Sequence, residues 1–261
     1  MRPQFANVFR FRRETFVVWL RNARVWRKLA GPSLVLHFGE PIIYLLGLGF
    51  GLGALVGTVD DIPYLTFFAS GIIASSAMST ATLEGTYSAY TRMATQQTYQ
   101  SILNTPVEIE DIMLAEILWC ATKATMSGVA ILIVASVLGA VKSPWAIAAI
   151  PVIFLCGLCF SAPALLISTL AKSYDFFNYY FTMGVTPMFI LCGVFYPVTT
   201  LPEWLQSFVA LLPLTHAVAL VRPLITGGPV DAPLLHIVVL VFYTGVFYIL
   251  AATAARRRFL V

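Results

Sequence analysis

Lys123 is the deepest charge in this sequence, set inside the apolar run 112–140. A lysine near the middle of a bilayer-spanning helix costs ~2.5–3.5 kcal/mol on insertion scales, so it must face protein or water. Glu84 and Glu116, toward the ends of apolar runs, are the carboxylates able to approach it; the other solution is a stem that snorkels to the cytoplasmic face. Buried carboxylates this scarce argue against an ion-driven carrier. Cys156-Gly-Leu-Cys159 has the C-x-x-C spacing of a redox or metal site, yet it lies in an apolar run with no second pair and reads as small packing residues. His37, His216 and His236 are far apart in the sequence; His37 and Glu40 share one helix face at i, i+3 and read as polar anchors near a membrane boundary. The run Gly47-Leu-Gly49-Phe-Gly51-Leu-Gly53 lacks the spacing and the preceding strand of a phosphate cradle, and its overlapping G-x-x-x-G pairs suit close helix packing. No H-E-x-x-H, G-x-S-x-G or G-x-x-x-x-G-K-[ST] occurs. The chain is therefore expected to bind no cofactor and to hydrolyse no ATP.

The elements that must position these groups are membrane helices. Six apolar stretches, 31–55, 64–83, 112–140, 145–171, 176–196 and 234–255, each reach the about 20 residues that a bilayer crossing takes. Hydrophobic residues make up 59% of the chain and charged ones 11%, which leaves no room for a soluble catalytic domain. Arg2, Arg10, Arg12, Arg13, Arg21, Arg24, Arg27 and Lys28 precede the first stretch. Arg92 and Lys172 fall in the second and fourth connections, and Arg256, Arg257 and Arg258 follow the sixth stretch. Only Lys142 and Arg222 fall on the other side. Positive residues stay cytoplasmic, so both termini are expected inside a bacterial inner membrane. The first stretch is too long for a signal h-region and is expected to be retained. The expected fold is all-α: one polytopic domain, 1–261, with six transmembrane helices. Its net charge of +4 resides largely in the N-terminal segment and fits anionic membrane lipid, not nucleic acid.

Residues 1–30 read as a cytoplasmic interfacial helix, with Arg10, Arg13, Arg21, Arg24 and Lys28 on one stripe and Phe9, Phe16, Trp19, Leu20, Ala23 and Trp26 beside it. The loop after the second stretch breaks at Asn104-Thr105-Pro106. There Thr105-x-x-Glu108 fits a capping box with Pro106 at the first helical position, and Thr95–Leu103 suits a short helix across the membrane face. The connection 197–233 is long, apolar and broken by Pro202, Pro213, Pro223, Pro229 and Gly227-Gly228. Thr200-x-x-Glu203 would start one short helix there, running to about Leu212, and Leu214–Leu224 a second; neither spans, which predicts a re-entrant outer hairpin. Tyr174, Phe176, Phe177, Tyr179, Tyr180 and Phe181 open the fifth stretch, either as an interfacial belt or as rings for an amphipathic substrate.

Three stretches together carry a resemblance: Tyr64–Ile72, Arg92-Met93 through Leu103–Pro106, and Gly193–Pro197 with Leu201–Gln206 and Leu212–Ala217. The chain resembles the type-2 ABC exporter permeases, and within them the NodJ-like branch that exports lipo-chitooligosaccharide nodulation factors with a NodI-like ATPase. The resemblance implies a homodimer completed by two copies of an ABC ATPase subunit, which would hold ATP and magnesium. It implies that 92–106 is the coupling loop, with Arg92, Gln96, Gln97, Tyr99, Gln100, Ser101, Leu103, Thr105 and Pro106 against the ATPase. It also implies a path at the dimer interface, for which Tyr44, Lys123, Phe177, Tyr180 and Phe181 are candidates. The cargo it implies is an amphipathic lipid-linked or oligosaccharide molecule. The rivals are a drug or small-lipid efflux permease, a lipid-modifying membrane enzyme, and a self-contained channel or carrier.

Overall fold

Helices dominate the computed structural model, which describes residues 12–28 and 30–260, and at 32–38, 40 and 41 the backbone alone. The side chains of His37 and Glu40, and the start of the expected interfacial helix, lie outside the described residues. The order is α1 (Arg13–Lys28), α2 (Ala30–Val56), a small hairpin of β1 (Thr58–Val59) and β2 (Ile62–Pro63), α3 (Tyr64–Leu83), α4 (Thr98–Leu103), α5 (Ile109–Val137) and α6 (Ala149–Leu170). Then come α7 (Asp175–Tyr180), α8 (Thr186–Leu191), α9 (Glu203–Val209), α10 (Pro213–Thr226) and α11 (Pro233–Leu260). Two π-helical segments, Glu84–Ser88 and Thr91–Thr95, carry α3 onward, so that one helix runs from Tyr64 to Thr95.

Among the described residues four helices are long and apolar enough to cross a membrane: Tyr64–Thr95, Ile109–Val137, Pro144–Leu170 and Pro233–Leu260. The pair α9 and α10, bent by 87°, adds a fifth if it is taken as one element. This is an all-α, multi-pass membrane protein. The expected first stretch is helical throughout as α2, with Ile42–Val56 its described apolar part. The expected fifth, 176–196, is helical only from Asp175 to Leu191 and loosens into a π turn at Phe181–Val185. It stops at Cys192 because the chain turns at Gly193, whose φ of +78° a glycine adopts without strain.

Two helix starts differ from expectation. α5 begins at Ile109, not near Pro106, because Glu108 caps it: its carboxylate accepts the Asp111 N–H while Asp111 accepts the Glu108 N–H at 3.2 Å. Thr105 instead donates its hydroxyl to the Ile102 carbonyl at 2.6 Å and closes the turn before. α9 starts only at Glu203, after Pro202 and without a side-chain cap, because Thr200 turns its hydroxyl back to Pro197 at 2.8 Å; it ends at Val209.

α3 is the axis of the bundle. Phe67, Phe68, Ile72, Ile73, Ala74, Ala77 and Met78 are all buried on it, against α5, α6 and α10. Association of apolar helices in lipid depends on close backbone approach, and small residues supply it. A Cβ on Gly157 of α6 would stand 2.8 Å from the Ala121 Cα of α5. Cys156 and Cys159 flank that contact as buried free thiols, which is the packing role expected of them.

Candidate functional site

The π-helical continuation of α3 and the first half of α5 enclose four charges of balanced sign. The Arg92 guanidinium grips Glu116 with two bonds, Nε to Oε1 at 3.0 Å and Nη2 to Oε2 at 2.6 Å. Its Nη1 donates to Glu84 Oε1 at 3.0 Å. The Lys123 ammonium donates to Glu84 Oε2 at 2.7 Å, and the Trp119 indole to Oε1 at 3.1 Å. Glu84, Glu116 and Lys123 are buried, and such charges persist only when paired and hydrogen-bonded.

The sequence builds this cluster by helical spacing. Glu116, Trp119 and Lys123 are separated by three and four residues on α5 and so share a face. Glu84 and Arg92 lie on the π-helical end of α3, where the wider turns bring both side chains to that face. α1 closes the cluster from the third side. Asn22 donates to Glu116 at 3.1 Å, Thr15 to Asp111 at 3.0 Å, and the Trp19 indole to Thr122 at 3.2 Å. Arg12 reaches Glu108 at 2.6 Å, a hydrogen bond that raises the guanidinium pKa. Arg13, Arg24, Arg27 and Lys28 remain exposed, while Thr15, Trp19 and Asn22 bind α5.

Against this buried floor the loop between α3 and α5 presents a polar edge. Gln96, Gln97, Gln100, Ser101, Thr105 and Pro106 are exposed. Gln97 takes a left-handed conformation, φ 52°, which turns the chain from the end of α3 into α4. Of the other predicted coupling residues, Arg92 points inward to the charge cluster and Tyr99 is buried, its ring 5.9 Å from that of Phe259. Leu103 packs half-buried on the same inner core. Those three anchor the loop from beneath. A groove of about 400 Å³ separates the loop from α1, with Val17, Val18 and Arg21 on one wall and Gln96, Ser101 and Ile102 on the other.

The predicted path residues do not form one group. Lys123 is held inside the subunit by Glu84 and does not snorkel. Phe177 is fully buried among Tyr87, Tyr90 and Tyr174, and Phe181 is half-buried beside Tyr87. Tyr180 is half-buried, and Tyr44 of α2, partly exposed, stands 6.1 Å from the Phe189 ring of α8. The Tyr174 hydroxyl meets Thr91 at 2.9 Å and Thr95 at 3.1 Å, hydrogen bonds that lower its pKa. Asn22, Trp119 and Thr15 carry no site assignment from the sequence. A polar Asn22 on the face of α1 that otherwise carries Thr15 and Val18 was the available signal.

Comparison with known proteins gives a consistent picture. The family model described as ABC-2 type transporter matches residues 13–225. The chain is 42% identical over 241 residues to Nodulation protein J of Rhizobium meliloti (strain 1021), covering 92% of each chain. It is 41% identical over 243 residues to Nodulation protein J of Bradyrhizobium diazoefficiens, covering 93% of each. A more distant relative, Inner membrane transport permease YadH of Escherichia coli (strain K12), is 23% identical over 239 residues, 91% of each chain.

Proposed function

This chain belongs to the ABC-2 type transporter family, and on that premise we propose how its inner loop and its outer hairpin divide the work of export. It is the membrane permease subunit of an ABC exporter, a transport subunit and not an enzyme, and it partners an ABC ATPase subunit. The proposal is that 92–106 is the coupling loop and that Gln96, Gln97, Gln100, Ser101, Thr105 and Pro106 form its docking edge. The observation that carries this is an exposed polar edge backed by a buried, charge-balanced cluster reaching α1, α3 and α5. Arg92, Tyr99 and Leu103 seat that edge.

In the same reading two copies of the chain enclose the path. Two NodI-like ATPase subunits bind ATP and magnesium, and all the chemistry of hydrolysis stays with them. Six crossings, with α9 and α10 as a re-entrant outer hairpin, leave both termini cytoplasmic in a bacterial inner membrane. The basic residues of α1 and of the α11 end favour this orientation. The cargo is an amphipathic lipo-oligosaccharide, a reading supported by the rhizobial relatives named Nodulation protein J. ATP binding stabilises one conformation over the other, since a cargo that bound both equally would shift nothing.

The test is reconstitution with the ATPase subunit. Gln97→Glu together with Gln100→Glu, or Pro106→Gly alone, should leave the permease inserted and folded while cargo export per ATP hydrolysed falls. Unchanged coupling would remove the docking assignment. Export of drug-like amphiphiles with no lipo-oligosaccharide export would replace the cargo and leave the coupling scheme standing.

A further inference from the structure

At the end of the bundle opposite the charge cluster, one guanidinium joins three elements. Arg222 of α10 donates Nε to the Ser70 hydroxyl of α3 at 3.0 Å and Nη2 to the Gly193 carbonyl at 2.5 Å. A weaker contact runs from Nη2 to the Phe67 carbonyl at 3.5 Å, and Cζ lies 3.7 Å from the centre of the Phe67 ring. Among the described residues no carboxylate forms an ion pair with it, and Asp60 acts on it only through space. Every acceptor it holds is neutral. A cation used only for packing would be a poor choice here, because a charge withdrawn from water without a counter-ion is costly. What arginine supplies is a planar fork able to hold several acceptors at once.

The junction it holds is tight. A Cβ on Gly71 would stand 2.8 Å from the Cα and the carbonyl oxygen of Val194, so α3 touches the turn after α8 backbone to backbone. Gly193 makes that turn, and Cys192 beside it is fully buried. The clamp therefore fastens the outer hairpin to α3 and to the end of the helix 175–191.

We propose that Arg222 is the positioning residue of an outer gate: its bonds to Ser70 and Gly193 keep the outer ends of α3 and of helix 175–191 together at rest, and outward opening releases them. The proposal rests on the exporter reading for the direction of opening, whereas the resting clamp stands on the geometry alone. Hydrogen bonds made by a charged group contribute about 1.5–3 kcal/mol each, so loss of one raises the open population roughly tenfold to a hundredfold.

The buried thiol of Cys192 is a native reporter. Intact cells or right-side-out vesicles carrying the full complex are treated with a membrane-impermeant maleimide, and labelling of Cys192 is quantified by peptide mass spectrometry. Resting wild type should label slowly and should accelerate during ATP turnover. Arg222→Gln, which loses the bonds to both Ser70 and Gly193, should label at rest roughly a hundredfold faster or more and gain little more with ATP. Arg222→Lys, which keeps the charge without the fork, should fall between. If Arg222→Gln does not insert, Ser70→Ala removes one acceptor and should still speed resting labelling about tenfold. Resting rates equal in wild type, Arg222→Lys and Ser70→Ala would overturn the clamp. Faster resting labelling in the variants, with no ATP-driven rise in wild type, would overturn the gate. Failure of the exporter reading has a separate sign, the absence of an ATPase subunit when the complex is purified.

Discussion

Glu84 is the residue on which the inner charge balance turns, since its carboxylate accepts from Lys123 at 2.7 Å, Arg92 at 3.0 Å and Trp119 at 3.1 Å. Glu84→Gln leaves Arg92 and Lys123 facing the single carboxylate of Glu116. Arg92 keeps its two bonds there, so the stranded group is the Lys123 ammonium, buried at 8% exposure. Breaking a buried pair from one side costs about 3–5 kcal/mol. In a chain of this length that lowers the midpoint of thermal unfolding by on the order of 10 °C. Lys123→Met in the same background removes the stranded charge and restores neutrality with Arg92 and Glu116 alone. The double variant should therefore recover most of the loss, to within about 1–2 kcal/mol of wild type. The four buried free cysteines make a thiol-reactive fluorophore a suitable monitor of unfolding in detergent. A double variant as unstable as the sum of the two single ones would show that Lys123 and Glu84 are not coupled, and the account of the cluster would be wrong.

Gly71→Ala should destabilise by about 1–3 kcal/mol, because the Val194 backbone cannot yield as a side chain would, whereas Gly51→Ala, with open space around it, should be neutral or slightly stabilising by the same assay. Arg258→Gln should cost about 1 kcal/mol and a few degrees, since its Nη1 meets the Thr169 carbonyl at 2.6 Å and the Ala171 carbonyl at 3.3 Å at the end of α6. A cysteine at exposed Ser207 of α9 should react with an impermeant thiol reagent applied from outside; labelling from the cytoplasmic face alone would invert the topology.

Composition and periodicity made the membrane class and the two unusual connections legible, because both follow from local properties: a run of apolar residues, or prolines breaking one. Lengths were less legible. The stretch 176–196 satisfies an apolar count, yet its helix ends at Leu191, since Gly193 and the close approach of Val194 to Gly71 are tertiary facts. Capping motifs failed for a related reason. Thr105 and Thr200 match a box in sequence, but each hydroxyl found a carbonyl three residues back, a local bond that competes with capping. The partners of Lys123 were narrowed to Glu84 or Glu116, and the choice of Glu84 needed the π turns that rotate Glu84 toward α5. Asn22 carries a weaker signal, its place on the α1 face of Thr15 and Val18, and that face gives no hint that the partner is Glu116.

The inner cluster bears on how a push at the loop would travel. Arg92 sits one short step from Gln96, and it is fixed at once to Glu84 on its own helix and to Glu116 on α5. Glu116 is in turn held by Asn22 of α1. In the proposed docking, a displacement applied to α4 by the ATPase meets a brace that joins α1, α3 and α5, and those elements would move together more readily than the brace would break. The outer end is built differently. There one arginine holds neutral acceptors, without an opposing charge whose burial would have to be undone, so the bonds at Ser70 and Gly193 can be exchanged for water at modest cost. A strong inner brace and a weaker outer clamp on the same helix α3 give a lever with a fixed end and a releasable one. In the proposed export scheme that arrangement would direct opening outward, and it predicts that variants of the inner cluster lose coupling while variants of the outer clamp lose closure.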